Sequence, residues 1–300
     1  MCVSYLASAE LWSVPKFPTA NQGAEIRNLE HSIAADAPMA AAVLAALKAP
    51  TLLVSNSIGS DEEGRRVGRW LRQHAVPMAA VVSAEVSTPR IVVVADDRHT
   101  RTWFAHLPGV AEDLGRADLS AIATAGLVYL DAYRLIEPAA IRVVRSARRH
   151  GARLFINLGG EPLSTALRTE LADYRSLLIQ TNVDDDAHEA ALAVVRELLR
   201  ETRAEWAIVT AGSNGSIAAS RDQVLTTPAF PVDVRHTHCA GAAFSGGVLY
   251  GLHAGLPMEK SLLLGSASGA LRCTRPQSAP LPALLELEAL ITSLARSAIN

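Results

Sequence analysis

The chain has 300 residues and a formal net charge of −2; 49% of its residues are hydrophobic and 19% charged. That balance describes a folded globular protein with a substantial core and excludes a disordered, charge-rich chain. It also excludes a broad basic surface, so neither nucleic acid nor a membrane is an expected partner.

Along the chain, short apolar or β-branched runs alternate with longer amphipathic stretches. The runs 2–6, 51–55, 91–95, 127–130, 153–157, 176–180 and 206–210 read as strands. Several are apolar without interruption, which suits a parallel sheet covered on both faces. The stretch 61–76 reads as a helix that opens on acids, as the macrodipole prefers. The stretch 137–151 has Pro138 in its first turn and Gly151 as a stop. The stretch 184–201 repeats the acidic opening. The alternation predicts one α/β domain over 1–300, a doubly wound, mainly parallel sheet with helices on both faces. Segments of about 10–36 and 82–105 lack following helices and are expected to form a small β lid.

Three scattered cysteines, Cys2, Cys239 and Cys273, make no disulfide framework. The opening "MCVSYLASAE" has no secretory character, and no apolar run reaches ~18 residues, so a cytoplasmic protein is expected. Lysine occurs only at Lys16, Lys48 and Lys260, which leaves few candidates for a catalytic lysine.

The stretch "HTHCAGAAFSGG", His236 to Gly247, reads as a small-residue loop opening into a helix. The first N–H groups of a helix have no intrahelical acceptor and carry partial positive charge, so such a loop suits an anion. The stretch contains no acid, Lys or Arg, and two histidines and a cysteine stand at its entrance. The His236, His238 and Cys239 cluster leaves three readings open. It is a soft-metal site short of ligands, a thiol nucleophile with a histidine base, or packing that fills space.

Taken together these segments resemble the ribokinase-like (PfkB) family of sugar and nucleoside kinases, over nearly the whole length. The loop is similar to the family's Asp-Thr-x-Gly-Ala-Gly-Asp-x-Phe signature, and "IGSDEEG" (58–64) to its Gly-x-Asp-x-x-Gly segment. "HTRTWFAHLPGVAEDL" (99–114) resembles the region after the lid strands. "NVDD" (182–185) stands at the family's Asn-x-x-Glu, and "TAGSNG" (210–215) at its Thr-x-Gly-x-x-Gly nucleotide loop.

The resemblance implies ATP-dependent phosphoryl transfer to a hydroxymethyl group. Ala240, Gly241, Ala242 and Ala243 would supply backbone donors to the anion hole. Asn182, Asp185, Thr210, Gly212 and Gly215 would serve ATP, with Asn182 and Asp185 organising hydrated Mg. The family's catalytic base falls on Ala242, its sugar-binding Asp on Ala9, and its sugar-lining Asn nearest Ala40, give or take a residue. The losses gather on the acceptor side, while the nucleotide side is better kept. The resemblance therefore implies a weakly active kinase or a pseudokinase that binds a nucleotide or another small molecule. Two alternatives stand beside it. One is an enzyme repurposed around His236, His238 and Cys239 or a non-sugar acceptor, and the other a regulatory or assembly subunit. A homodimer through the lid is also implied.

Overall fold

The computed structural model describes residues 1–98 and 100–297. The first half of the chain contributes strands β1 (Cys2–Val3), β2 (Ala7–Ser13), β3 (Asn28–Ala34), β4 (Leu53–Val54), β5 (Ile58–Gly59), β6 (Met78–Ala79), β7 (Val82–Ser83), β8 (Arg90–Ala95) and β9 (Arg101–His106). The second half adds β10 (Leu127–Asp131), β11 (Arg153–Asn157), β12 (Leu177–Asn182), β13 (Trp206–Thr210), β14 (Ser216–Ala219) and β15 (Val224–Thr227).

A nine-stranded sheet runs in the order β15-β14-β13-β12-β11-β10-β1-β4-β6. Its pairs are parallel from β13 to β6, and the β13–β14 and β14–β15 pairs are antiparallel. Side chains alternate across each strand, so the central strands feed two cores. Val128, Leu130, Leu154, Ile156, Ile179 and Val209 face one apolar cluster. Helices α3 (Val110–Arg116), α4 (Glu137–Arg149), α5 (Thr165–Leu171) and α6 (Ala191–Glu201) cover that side. Tyr129, Phe155, Leu178 and Ile208 face the opposite cluster. Helices α1 (Asp36–Ala46), α2 (Glu62–Gln73), α7 (Ala240–His253) and α8 (Met258–Cys273) cover it. Helix α9 (Leu284–Ser297) packs on α8. Burial on both faces explains why these strands are nearly continuous hydrophobic runs.

The lid is a separate four-stranded sheet, ordered β3-β2-β8-β9. It begins at Ala7, and the run 91–95, inside the 82–105 segment, is one of its strands. Residues 82–83 pair instead with β5 in a two-stranded ribbon. The segment 184–201 is not one helix: a 3-10 turn over Asp185–Ala190 precedes α6. No described helix is long and apolar enough to cross a membrane.

Candidate functional site

Strands β10, β11, β12 and β13 end in Asp131, Asn157, Asn182 and Thr210, a polar row at their C-terminal edge. Register places Asp131 beside Asn157 and Asn182 beside Thr210. Ligands of open α/β sheets bind at this edge.

Helix α7 starts beside that row. Cys239 precedes it with a left-handed backbone (φ 59°) and gives no side-chain cap. Of the four expected donors, two are already engaged. The Ala243 N–H closes the first helical bond on Cys239 O at 2.9 Å, and the Ala240 N–H reaches Thr237 O at 3.3 Å. The N–H groups of Gly241 and Ala242 have no partner among the described residues, so of the four expected donors only these two remain free. Gly241 is exposed, and a Cβ there would meet only open space. Ala242 is 0% exposed, within an apolar cluster that includes Leu6, Ala37 and Ala40. One turn along, Ser245 Oγ lies 3.0 Å from both Gln180 Oε1 and Gly241 O and accepts from the Tyr129 hydroxyl. That column ties α7 to β12 close to Asn182.

The histidines and Cys239 do not form the chemical cluster considered above. His238 is half-buried with Nε2 3.1 Å from Ile33 O, which assigns the proton to Nε2. Burial pushes its pKa down to about 3. His236 Nε2 lies 2.6 Å from Arg275 O, and burial together with Arg272 brings its pKa to about 4. Burial also lifts the Cys239 thiol to about 12, so at neutral pH it is neither thiolate nor nucleophile. Among the described residues no group of three or more His, Cys, Asp or Glu is placed to hold a metal.

On the nucleotide side, the five expected residues come together. Val183 N donates to Thr210 O at 3.0 Å, and Ala211 N to Gly215 O at 2.8 Å. Gly212 and Gly215 both hold positive φ, and a Cβ at Gly215 would strike the Thr227 carbonyl. Asp185 Oδ2 accepts from Ser213 N at 3.1 Å and Ser213 Oγ at 2.6 Å. This carboxylate thus shapes the 212–214 turn, which explains the 3-10 turn at its own position.

On the acceptor side, Ala9 is buried in β2 between Ser32 and Ile91, and Ala40 is buried in α1. Ala35 holds φ 76°, a glycine-like value. Met39, one residue before Ala40 and within the range expected for the sugar-lining Asn, stands beside it in α1. Met39 is buried as well.

Two carboxylates stand here that sequence reasoning missed. Asp131 Oδ2 accepts from the N–H of Asp36 (3.0 Å) and Ala37 (2.8 Å), capping α1 from the end of β10. Asn157 Nδ2 lies 2.7 Å from Asp36 Oδ2 and 3.4 Å from Asp131 Oδ1. Burial first, then the charge of Asp36, lifts Asp131 to about 7. Burial raises Asp36, opposed by its bonds to Tyr133 and Asn157 and by Arg101. The available signal was an acid closing an otherwise apolar strand, "LVYLD". Arg101 of β9 reaches across from the lid and donates to Thr237 O at 2.8 Å. Arg98 only flanks Asp96, at 3.6 Å. His99, the first residue of the 99–114 segment, lies outside the described residues.

The pfkB family of carbohydrate kinases matches residues 36–284. The chain is 30% identical to the bifunctional protein HldE of Nitrobacter hamburgensis over 249 residues, 76% of this chain and 50% of that protein. It is 28% identical to the 5-dehydro-2-deoxygluconokinase of Geobacillus thermodenitrificans over 140 residues, 42% of this chain and 41% of that protein. These matches span half or less of the relatives' lengths. A structure of Arabidopsis thaliana ribokinase complexed with ribose and ATP shares the fold, with a TM-score of 0.75 at 17% identity over 97% of each chain.

Proposed function

Because the chain belongs to the pfkB family of carbohydrate kinases, we propose that it binds ATP at this edge but transfers its phosphoryl group to a sugar slowly or not at all. The observation that carries the reading is Ala242, at the position expected for the general base. Its methyl group cannot accept a proton, and it lies wholly inside an apolar cluster. Loss of a general base costs ~10²–10⁴ in rate. No neighbour on the loop replaces it, since burial brings the His238 pKa to about 3, too weak a base, and the Cys239 thiol stays protonated.

Binding has better support than chemistry. Gly241 and Ala242 present free N–H groups at a helix N-terminus, the arrangement that holds a phosphoryl group. Thr210, Gly212 and Gly215 form the turn expected beside a nucleotide, and Asn182 lies at the same edge. ATP with Mg, when bound, would supply the transferable phosphoryl group and its counter-charge. Asn182 and Asp185 would orient the metal's water shell. The small-molecule acceptor would meet Asp36 and Asp131 rather than side chains at Ala9 and Met39 or Ala40.

That carboxylate pair supports a second reading, a residual transferase in which Asp36 or Asp131 takes the acceptor's proton. An acid poised near neutrality is suited to that task. We also propose a homodimer through the lid. Edge strand β9 exposes Trp103 (63%) and Phe104 (64%), and an exposed apolar edge needs cover. The soluble cytoplasm is the proposed compartment. Thermal unfolding with ATP, ADP, AMP and adenosine tests the binding reading: ATP and ADP should stabilise more than adenosine, and no shift with any of them would refute it.

A further inference from the structure

Helix α8 carries a buried guanidinium behind the anion loop. Gly265 and Gly269 bring α8 close to α7: a Cβ at Gly265 would lie 3.0 Å from Phe244 O, and one at Gly269 3.1 Å from Ala240 O. Arg272 is three residues further along the same helical face, which sets it under the segment 236–239. It is 2% exposed.

A charge so deep in the protein needs an anionic partner, because its desolvation costs several kcal/mol. Arg272 has none at hand. Its Nη2 donates to the neutral Gln277 Oε1, and its Nη1 lies 3.5 Å from Arg275 O. Nη1 is also 3.3 Å from His236 Nε2, but that nitrogen gives its own proton to Arg275 O. Arg272 Nε has no partner, and neither do the nearby His236 Nδ1 and Gln277 Nε2. Glu30 acts on the guanidinium from a distance, and it is engaged with Gln277 N at 2.8 Å. The cation therefore lies beneath the loop that leads into α7, whose N-terminus carries the free N–H groups of Gly241 and Ala242 and the positive end of the helix dipole.

We propose that Arg272 is the fixed positive charge of the anion site, a positioning residue that stiffens the 236–239 loop and draws a phosphate-type dianion to the N-terminus of α7. The inference rests on reading that N-terminus as a phosphate site, and it adds the charge that the loop itself lacks. The ligand class is a terminal phosphoryl group, free as inorganic phosphate or carried by a nucleoside triphosphate.

Calorimetric titration of the full chain with inorganic phosphate, ATP and adenosine tests it, on wild type, Arg272→Met and Arg272→Lys. Arg272→Met should weaken phosphate and ATP about tenfold or more and leave adenosine unchanged, while Arg272→Lys should retain most of the affinity. Wild-type phosphate affinity in Arg272→Met, or an equal loss of adenosine, would overturn the proposal and leave Arg272 a structural staple. Should Arg272→Met fail to fold, nitrogen-15 NMR of the wild type decides. The Arg272 Nε–H and Gly241 amide signals should move together and saturate with phosphate, and a stationary Nε–H signal rejects the role. Wild type that takes phosphate but not ATP refutes the nucleotide reading and leaves Arg272 to be judged on the phosphate arm. Wild type that takes neither refutes both.

Discussion

Asp131 caps helix α1 through the backbone of another acid: its Oδ2 accepts the N–H of Asp36 at 3.0 Å. The two carboxylates share Asn157 as a donor and sit where strands β10 and β11 end. Burial raises the pKa of both, and the charge of Asp36 raises Asp131 further.

This pair sets a pH dependence of stability. Asp131 ionises at about 7 in the fold, against a usual value of 3.8. A raised carboxylate contributes stability that is complete below the unfolded value and lost as pH climbs through the folded one. Asp131→Asn keeps an oxygen for the α1 cap and removes the charge. Its melting temperature relative to wild type should rise between pH 4 and 7 and level off above, by about 2–4 °C for each kcal/mol relieved. A difference that stays flat with pH would show that the pair is not strained.

The half-buried histidines act in the opposite sense. His238 and His236 titrate at about 3 and about 4, below the usual 6.5. They stay neutral in the fold while the unfolded chain takes up protons, so their contribution to stability falls as pH drops below about 6.5. His238→Gln should flatten the acid limb of the stability profile. An unchanged acid limb would contradict the burial of a neutral ring.

Restoring an acid at the base position should fail. Ala242→Asp places a carboxylate in a fully buried apolar cluster, and an unpaired polar group there costs about 1–3 kcal/mol or more. We expect lower stability in denaturant titration and less than about tenfold gain in ADP formation, far below the span a general base supplies. A gain of ~10² or more would show that the base alone was missing.

Cys239 should be chemically quiet. With its thiol pushed to about 12 and shielded from solvent, alkylation of the native protein at pH 7 should be slower than in denaturant by orders of magnitude. Fast, stoichiometric labelling of Cys239 in the native state would revive it as a nucleophile.

The lid makes a solution prediction. Light scattering should find a dimer, and Trp103→Glu together with Phe104→Glu should give a monomer with an intact far-ultraviolet spectrum. A wild-type monomer at high concentration would remove the proposed interface.

The central strands were legible because burial on both faces writes them as unbroken apolar runs, as in "RLFIN" and "WAIVT". The run 91–95 has the same look, yet it lies in the lid; only the missing helix after it distinguishes the two. The helical reading of 184–201 missed the turn that Asp185 makes toward Ser213, because a bond across 28 residues leaves no local trace. The anion loop was visible as small residues, but which N–H groups stay free depends on Cys239's left-handed backbone. Asp36, Asp131 and Arg272 escaped notice because each looks like an ordinary boundary or surface charge until the fold buries it.

We propose that phosphate and nucleotide contacts persist here where the proton acceptor does not. It is tested most directly by ADP formation from ATP and Mg across a panel of sugars and nucleosides. The expected rate is at or near background, and no acceptor stimulates it. Rapid ADP formation that depends on one sugar would contradict it.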